Sequence, residues 1–398
     1  MIVHARIVVT MDVAPIENGA VAIEGDRIVD VGRFDEVKAR NGGEVVDLSE
    51  QALLPGLINA HSHLDYTCLR GKIPRQKSFA DWIRAINAEK AKLSPQNYLA
   101  SINQGFAEAR EFGTTTIANL TAFPELISQI QPSIRTWWFA ELIDVRSPER
   151  ANEIVDVAVK SLKSAENRGL APHAPFTASG NLYRRCDEVA RQENILLTTH
   201  LAESREEMQM FSDLGGPLAD FLSSIGRDNS DLDGATPLKH AAEFCQFDAR
   251  WLLVHLNEVL KSDLELLLRS KTKPHIVHCP RSHEFFGHSP FKFEEFRPLG
   301  FNICLGTDSL ASNESLSLFA EMRAFQRNEP RILPREILEM VTVNPALALH
   351  QSDRLGRIRP GFQADLISLP CATSTSVFEQ IVAFDRPVDW VMVAGVAG

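Results

Sequence analysis

The chain of 398 residues has no long hydrophobic run, and no apolar stretch approaches the ~20 residues that cross a bilayer. The opening segment, MIVHARIVVTMD, is too short and too interrupted by His4 and Arg6 for a signal peptide. The six cysteines include no CxxC pair and are scattered along the chain. We therefore predict a cytoplasmic protein with reduced thiols and no membrane partner.

Basic residues are also in deficit, since 41 Lys and Arg stand against 52 Asp and Glu, for a net charge of −11. Nucleic-acid binders usually carry basic patches, so we expect no nucleic-acid partner. No phosphate-cradling glycine loop is present, and no organic cofactor is predicted. Hydrophobic residues make up 44% and charged residues 23%, which is ordinary for a globular chain and excludes a largely disordered one.

Both ends of the chain consist of short β-like segments separated by turns. The first stretch contains ARIVVTMD, GAVAIEGDRIVDVG and GEVVDLSEQALLPG, and the last contains GRIRPGFQADLISLP and PVDWVMVAG. We predict one small β-sandwich formed by residues 1–54 and 346–398. The remaining segment, 55–345, is predicted to be a separate α/β domain.

Residues 55–345 alternate short apolar runs with helix-like stretches. Nearly continuous apolar runs of this length are typical of parallel strands buried on both faces. One predicted helix begins at Pro95 and ends at Gly113, and another begins at Pro148 and ends at Gly169. Eight such strand–helix units predict an α/β fold of the (β/α)8 TIM-barrel type.

Each of the eight apolar runs ends in a polar residue that can act chemically. In a barrel these strand ends converge on one mouth. The residues are, in chain order, His61 with His63, Asn119, Glu141, His173, His200, His255, His278 and Asp308.

Four of these residues predict a metal site. His61 and His63 are two positions apart, so on a strand both imidazoles point to the same face. With His200 and Asp308 they offer three imidazoles and one carboxylate, which suit one Zn²⁺ or Fe²⁺ ion and leave a position for water. No lysine lies near the fourth strand end to bridge a second ion, so a single metal is predicted.

Two further residues are candidates for proton transfer. Glu203 lies three residues beyond His200 and can reach the mouth without joining the metal ligands, so it is the predicted proton carrier. His255 would orient the attacking water together with Asp308, or stabilise charge on the substrate. The structural alternatives are a solvated Glu203 at the start of the next helix and a His255 that is simply buried in its strand.

Candidate substrate contacts are His173, Arg281, His283 and Trp82. Trp82, together with Phe285 and Phe286, is predicted to line an apolar pocket for a flat ring, the alternative being core packing. Arg281 and His283 could contact substrate oxygens or ring nitrogens. The alternatives are an ion pair of Arg281 with Glu284 or Glu314, and a capping role for His173. Cys279 is expected to be buried and unreactive.

The motifs PGLINAHSHLDYTCLRG, APHAPFT, THLAES, VHLNE, HCPRS, LGTDSLAS and GRIRPGFQADLI span nearly the whole chain. Together they resemble the amidohydrolase superfamily, in the branch that holds adenosine, S-adenosylhomocysteine and guanine deaminases and the triazine hydrolases. The resemblance implies a barrel with a β-sandwich from both termini, the metal ligands named above, Glu203 as proton shuttle, His255 as catalytic histidine and His173 as a substrate contact. HLDYTCLRGKIPRQKSFADWI and CPRSHEFFGHSPF look most similar to aminofutalosine deaminases of menaquinone biosynthesis.

This resemblance implies hydrolytic removal of ammonia from an aminated heterocycle, with an adenine-bearing, nucleoside-like substrate such as aminofutalosine expected. Adenosine, S-adenosylhomocysteine, methylthioadenosine and guanine remain alternatives, as does hydrolysis of a triazine or cyclic amide. A barrel relative that binds without turnover is a further alternative from a different class. The expected partners are a small heterocyclic substrate and water, and a homodimer stays open.

Overall fold

The computed structural model describes residues 1–371 and 376–398. Its strands are β1 (Ile2–Val8), β2 (Ile16–Glu24), β3 (Arg27–Arg33), β4 (Val45–Asp47), β5 (Gln51–Pro55), β6 (Leu57–Ser62), β7 (Thr114–Thr121), β8 (Arg135–Leu142), β9 (Asn167–Pro172), β10 (Leu196–Leu201), β11 (Trp251–His255), β12 (His275–His278), β13 (Asn302–Leu305), β14 (Leu366–Pro370), β15 (Trp390–Val393) and β16 (Val396–Ala397).

The α-helices are α1 (Phe34–Arg40), α2 (Phe79–Lys90), α3 (Pro95–Glu111), α4 (Ala151–Ser161), α5 (Gly180–Glu193), α6 (Arg205–Ser212), α7 (Pro217–Ser224), α8 (Pro237–Ala242), α9 (Lys261–Leu267), α10 (Pro280–Phe286), α11 (Phe293–Phe296), α12 (Leu318–Asn328), α13 (Pro334–Glu339), α14 (Val343–Ala348) and α15 (Val377–Ala383). Short 3₁₀ segments occupy Leu64–Leu69, Pro124–Gln129, Pro148–Arg150 and Leu162–Ser164. None of these helices combines the length and apolar content that a bilayer crossing requires.

Strands β6 to β13 form an eight-stranded parallel sheet in sequential order. Helices lie between successive strands, except that only the 3₁₀ segment Pro124–Gln129 lies between β7 and β8. The sheet closes where the backbone N–H groups of Thr307 and Asp308 donate to the carbonyl oxygen of His61, at 3.0 and 3.1 Å. Strands β6, β7 and β10 are buried along their whole length. This burial on both faces explains their nearly continuous apolar sequences and confirms the predicted (β/α)8 barrel.

The two ends of the chain share a second, mixed sheet in the order β16-β15-β14-β5-β1-β2-β3, with β4 also paired to β1. One face of this sheet packs residues such as Val3, Leu53 and Met392 into a core of their own. On the other face Ile2 packs with Val37 of helix α1. The terminal β-structure predicted from both ends is confirmed, and its hydrogen bonds connect it as one sheet.

The domain limits 1–54, 55–345 and 346–398 stay predictions. The last segment includes residues 372–375, which lie outside the described residues. Helix α14 crosses the predicted limit at 345 and packs against barrel strands β6 and β13.

One of the two predicted helix ends is wrong. Helix α3 begins after Ser94, whose hydroxyl accepts the N–H of Asn97, and Gly113 follows its end with φ +79°. Helix α4, in contrast, ends at Ser161, and Gly169 lies inside β9. A Cβ atom at Gly169 would stand 2.4 Å from the ring of Phe139, so this glycine serves close packing in the barrel and does not end a helix.

Candidate active site

The barrel mouth gathers the four predicted metal ligands. His61 and His63 stand at the end of β6, His200 at the end of β10, and Asp308 follows β13. The Nε2 atoms of His63 and His200 are 3.2 Å apart. Oδ1 of Asp308 lies 3.6 Å from Nε2 of His61 and 3.8 Å from Nε2 of His63. The four donor groups therefore face one another across a small space.

Neighbouring groups fix the orientation of two of these donors. Nδ1 of His200 lies 2.9 Å from the carbonyl oxygen of His173, and since a carbonyl only accepts, Nδ1 carries the proton and Nε2 presents a lone pair. The carboxylate of Asp308 accepts from the hydroxyl of Ser282 and from the backbone N–H of Ser309, both at 2.7 Å. These hydrogen bonds hold His200 and Asp308 in place without a bound ligand.

The residues present fit one divalent metal ion. His61 is fully buried, and both of its ring nitrogens lack a hydrogen-bond partner in the described structure. An unpaired buried imidazole is costly unless another group binds it. Three imidazoles and one carboxylate are a donor set that Zn²⁺ and Fe²⁺ accept.

Two other close groupings extend this cluster. His255 joins His61 and His200, while Glu141 joins His173 and His200, with one donor atom from each residue within 4.8 Å of the others. The donor atoms of Glu141 and His63 are 3.7 Å apart. Six of the eight strand ends thus add side chains around the four predicted ligands or supply those ligands.

Burial sets the charges in this cluster. Burial, reinforced by neighbouring imidazoles, lowers the pKa of His63 and of His255 well below the ordinary histidine value, which keeps these rings neutral. For Asp308 burial acts in the opposite direction, but the imidazoles of His61, His255 and His63 outweigh it and hold the pKa well below its usual range. Neutral imidazoles beside an ionised carboxylate are the states in which these residues bind metals.

Glu203 lies beside this cluster. Burial, and then the charge of Asp308, raise the pKa of Glu203 to about 8. Its Oε1 atom is 3.7 Å from Nε2 of His255 and 3.7 Å from Nε2 of His288. Its backbone is fixed as well, since its N–H donates to Glu207 at 2.7 Å and its carbonyl accepts from Asn257 at 3.0 Å. A fixed carboxyl with a pKa near neutrality can both give and take a proton.

A cavity of about 190 Å³ opens above this cluster of polar side chains, which forms its floor. Its walls are mostly aromatic and aliphatic, and Trp82 and Phe286 meet edge-on with ring centroids 4.8 Å apart. The apolar side chains that line it are Phe79, Trp82, Ile83, Ile86, Ile143, Val145, Phe176, Phe221, Leu222, Ile225 and Phe286. Such walls suit a flat, apolar-faced ring above polar groups that fix its orientation.

The predicted substrate contacts divide into two groups. His173 and Trp82 line the cavity, and Nδ1 of His173 is 2.6 Å from the hydroxyl of Thr177. Arg281 and His283 do not line it. Arg281 forms an ion pair with Glu314 at 2.7 Å, which is one of the alternatives to substrate contact that the sequence left open. Nδ1 of His283 lies 3.1 Å from the amide oxygen of Asn257.

Three other residues also differ from expectation. Phe286 lines the cavity, but Phe285 lies outside it, with the guanidinium of Arg75 over its ring at 5.7 Å. His278 ends its strand away from the cavity and stacks on Phe291 with ring centroids 4.0 Å apart. The side chain of Asn119 binds the backbone, since its amide oxygen accepts the N–H of Leu64 at 2.8 Å.

Sequence reasoning missed two residues near the site. Lys90 at the end of α2 lines the cavity, with its ammonium 4.6 Å from the ring centroid of Tyr66. His288 approaches Glu203 from the loop after α10. His288 lies in the segment CPRSHEFFGHSPF that carried the family resemblance, whereas Lys90 lies beyond the end of HLDYTCLRGKIPRQKSFADWI. Neither residue directly follows a barrel strand, so no strand-end pattern could indicate them.

Fold and site together define a metal-dependent hydrolase of the (β/α)8 type. Residues 52–397 match the family model described as "Amidohydrolase family", and residues 19–42 match a bacterial imidazolonepropionase-like composite domain. The chain belongs to the amidohydrolase family. This confirms the predicted family and the predicted class of hydrolase that acts on carbon–nitrogen bonds.

Several characterised proteins are similar to this chain. A 5-methylthioadenosine/S-adenosylhomocysteine deaminase of Pyrococcus furiosus is 28% identical over 384 residues, covering 92% of this chain and 85% of that protein. The solved structure of a zinc-bound adenosine deaminase from Xanthomonas campestris has a TM-score of 0.84 at 23% identity, covering all of this chain and 92% of the other. Helicobacter pylori aminofutalosine deaminase with methylthio-coformycin has a TM-score of 0.89 at 20% identity, covering 100% and 99%. At these identities the two structures show a shared fold.

Proposed function

We propose that this chain is a hydrolytic deaminase of an adenine-bearing, nucleoside-like substrate, with one divalent metal held by His61, His63, His200 and Asp308. The observation that carries the proposal is the position of Glu203, a buried carboxyl with a pKa of about 8 beside this cluster. The deaminase relatives and the aromatic cavity support the choice of substrate class.

A divalent metal in this site would supply a water-derived nucleophile at neutral pH, since coordination lowers the pKa of water to about 7. The four residues offer imidazole and carboxylate groups, which both Zn²⁺ and Fe²⁺ accept as ligands, so either ion fits the proposal. The chain's own residues would do the remaining work of binding, orientation and proton transfer.

Glu203 would donate a proton to the ring nitrogen beside the amino-bearing carbon, which makes that carbon more electrophilic. His255 and Asp308 would orient the attacking water and accept its proton. The new C–O bond forms first and makes the attacked carbon tetrahedral. The amino group then receives the proton that the water lost and leaves as ammonia when the exocyclic C–N bond breaks. The proton of the new hydroxyl group returns to Glu203 as the C=O bond forms, which restores the starting state. Trp82 and Phe286 would pack against the base, and His173 would contact it from the fourth strand end.

Lys90 supports a substrate with an anionic substituent. In the described parts of the chain no carboxylate lies within ion-pair distance of its ammonium, although the residue lines the cavity. A carboxylate-bearing tail, as in aminofutalosine, would provide a partner. With aminofutalosine as substrate, we also propose that the protein is cytoplasmic and catalyses a step of menaquinone biosynthesis.

The apolar wall favours a second candidate. Phe221, Leu222 and Ile225 line the cavity without a polar atom in their side chains. They suit a small thioether substituent, as in methylthioadenosine, better than a charged one.

The test is ammonia release by the purified, metal-loaded protein from aminofutalosine, methylthioadenosine, adenosine and guanine. We expect turnover of the adenine nucleosides. A higher kcat/KM for aminofutalosine would favour a substrate with a carboxylate-bearing tail, and a higher kcat/KM for methylthioadenosine would favour one with a thioether substituent. Release of chloride or an alkylamine from a triazine, without ammonia from any nucleoside, would contradict the proposal. So would a fully metal-loaded protein that turns over none of these compounds.

A further inference from the structure

The carboxyl of Glu203 lies between two imidazoles. Its Oε1 atom is 3.7 Å from Nε2 of His255 on β11, and equally far from Nε2 of His288, which comes from the loop after α10. His255 lines the substrate cavity, whereas His288 does not. His288 therefore reaches Glu203 from behind, on the side away from the substrate.

His288 is built into this position. Its side chain is 7% exposed, and its Nε2 atom is buried without a hydrogen-bond partner in the described structure. Its ring stacks on Phe286 with centroids 5.1 Å apart and lies 6.2 Å from Phe79. An unpaired buried ring nitrogen that faces a buried carboxyl is costly unless the two interact.

We propose that His288 is a positioning residue that holds the Glu203 carboxyl toward the substrate while Glu203 gives and takes protons. This inference rests on the proposed deaminase function of Glu203. With its proton on Nε2 the ring donates to ionised Glu203, and as the other tautomer it accepts from protonated Glu203. His288 thereby supports both states of Glu203 without touching the substrate.

Burial assists this role. It lowers the pKa of His288 to about 4, so the ring is neutral near pH 7 and both tautomers are accessible. Two further cavities, of about 230 and 410 Å³, are lined in part by His288 and lie outside the substrate cavity. They give small molecules a route to the space that a shortened side chain at position 288 would leave.

A contact readout that needs no activity comes first. In protein labelled with ¹⁵N-histidine, the ring resonances of His288 are assigned by their loss in His288→Gln. Glu203→Gln should shift these resonances, because it replaces the group that faces Nε2. Unchanged His288 resonances in Glu203→Gln would overturn the contact and the proposal, whatever the enzyme's substrate is.

The functional readout uses the metal-loaded enzyme with adenosine or its best nucleoside substrate. His288→Ala should lower kcat ~10- to 100-fold and leave KM within ~3-fold, because the residue acts through Glu203 and not on the substrate. Added imidazole should restore part of kcat in His288→Ala and leave the wild type unchanged. His288→Gln, which retains a polar group and fills more of the space, guards against misfolding.

His240→Ala is the matched control. Its side chain is also buried, its Nε2 atom also lacks a hydrogen bond, and it faces Asp231 at 3.6 Å, away from the substrate cavity. Imidazole should not change its kcat. Wild-type kcat in folded His288→Ala, a rise in KM alone, or equal imidazole effects in both variants would overturn the proposal. An inactive wild type would instead count against the deaminase function, and the contact would still be decided by the resonances.

Discussion

The Nε2 atoms of His63 and His200 lie 3.2 Å apart at the floor of the substrate cavity. Nδ1 of His200 donates to a carbonyl, so its Nε2 has no proton to share, and burial keeps His63 neutral by lowering its pKa. Two imidazole nitrogens this close, next to the ionised Asp308, form an arrangement that a metal ion fits.

Asp308→Asn should sharply reduce bound metal, because it removes the anionic member of the donor set. Elemental analysis after dialysis against a weak chelator measures this. Ser282→Ala, which only removes the 2.7 Å hydrogen bond to Asp308, should weaken metal affinity less, by ~10- to 100-fold. An Asp308→Asn protein that retains one equivalent of metal and full turnover would exclude this residue as a ligand.

Glu203→Gln should keep the metal and lose ~10²- to 10⁴-fold in kcat, the usual contribution of a general acid–base group. Metal content and ammonia release are measured on the same preparation. Glu243→Gln, an exposed glutamate at the end of α8, serves as control and should behave as wild type. Loss of metal in parallel with activity would show that Glu203 is a ligand.

Lys90→Met should raise KM for aminofutalosine by ~10-fold and change KM for adenosine by less than ~2-fold, because only the former offers a carboxylate. Lys90→Arg retains the charge and should stay close to wild type for both. Steady-state kinetics on the two substrates give the comparison. Equal changes on both would remove Lys90 from tail recognition.

Glu321 should make the protein less stable as pH rises. Burial raises its pKa to about 8, even though Arg281 and Asn313 donate to its carboxyl at 2.9 and 2.7 Å. Below pH 4.5, the ordinary value, both folded and unfolded states are protonated. Between 4.5 and 8 only the unfolded state ionises, so the free energy of unfolding falls by up to ~1.4 kcal/mol per pH unit from this group.

Glu321→Gln imitates the protonated carboxyl and should flatten this decline. Urea unfolding midpoints of wild type and variant, measured from pH 5 to 8.5, provide the test. The two curves should be closest at pH 5 and separate toward pH 8, with the variant more stable. Curves that stay parallel over this range would show that Glu321 is already ionised in the folded protein.

The sequence alone determined the barrel and the floor of its site. Buried parallel strands require nearly continuous apolar runs, and the residues at the ends of these runs lie at the mouth of the barrel. His61, His63, His200 and Asp308 could therefore be brought together without coordinates, as could Glu203 and His255. His278 shows the limit of this rule, because its ring turns to Phe291 instead of the cavity.

Only the tertiary structure decided which loop and helix side chains join the site. Arg281 follows the same strand end as His278, yet its guanidinium forms an ion pair with Glu314 and does not line the cavity. Lys90 and His288 come from segments whose orientation depends on packing between distant parts of the chain, for example Trp82 of α2 against Phe286 of α10. Strand ends are placed by regular hydrogen bonding that local sequence encodes, whereas loop side chains take their direction from long-range contacts that no local pattern carries.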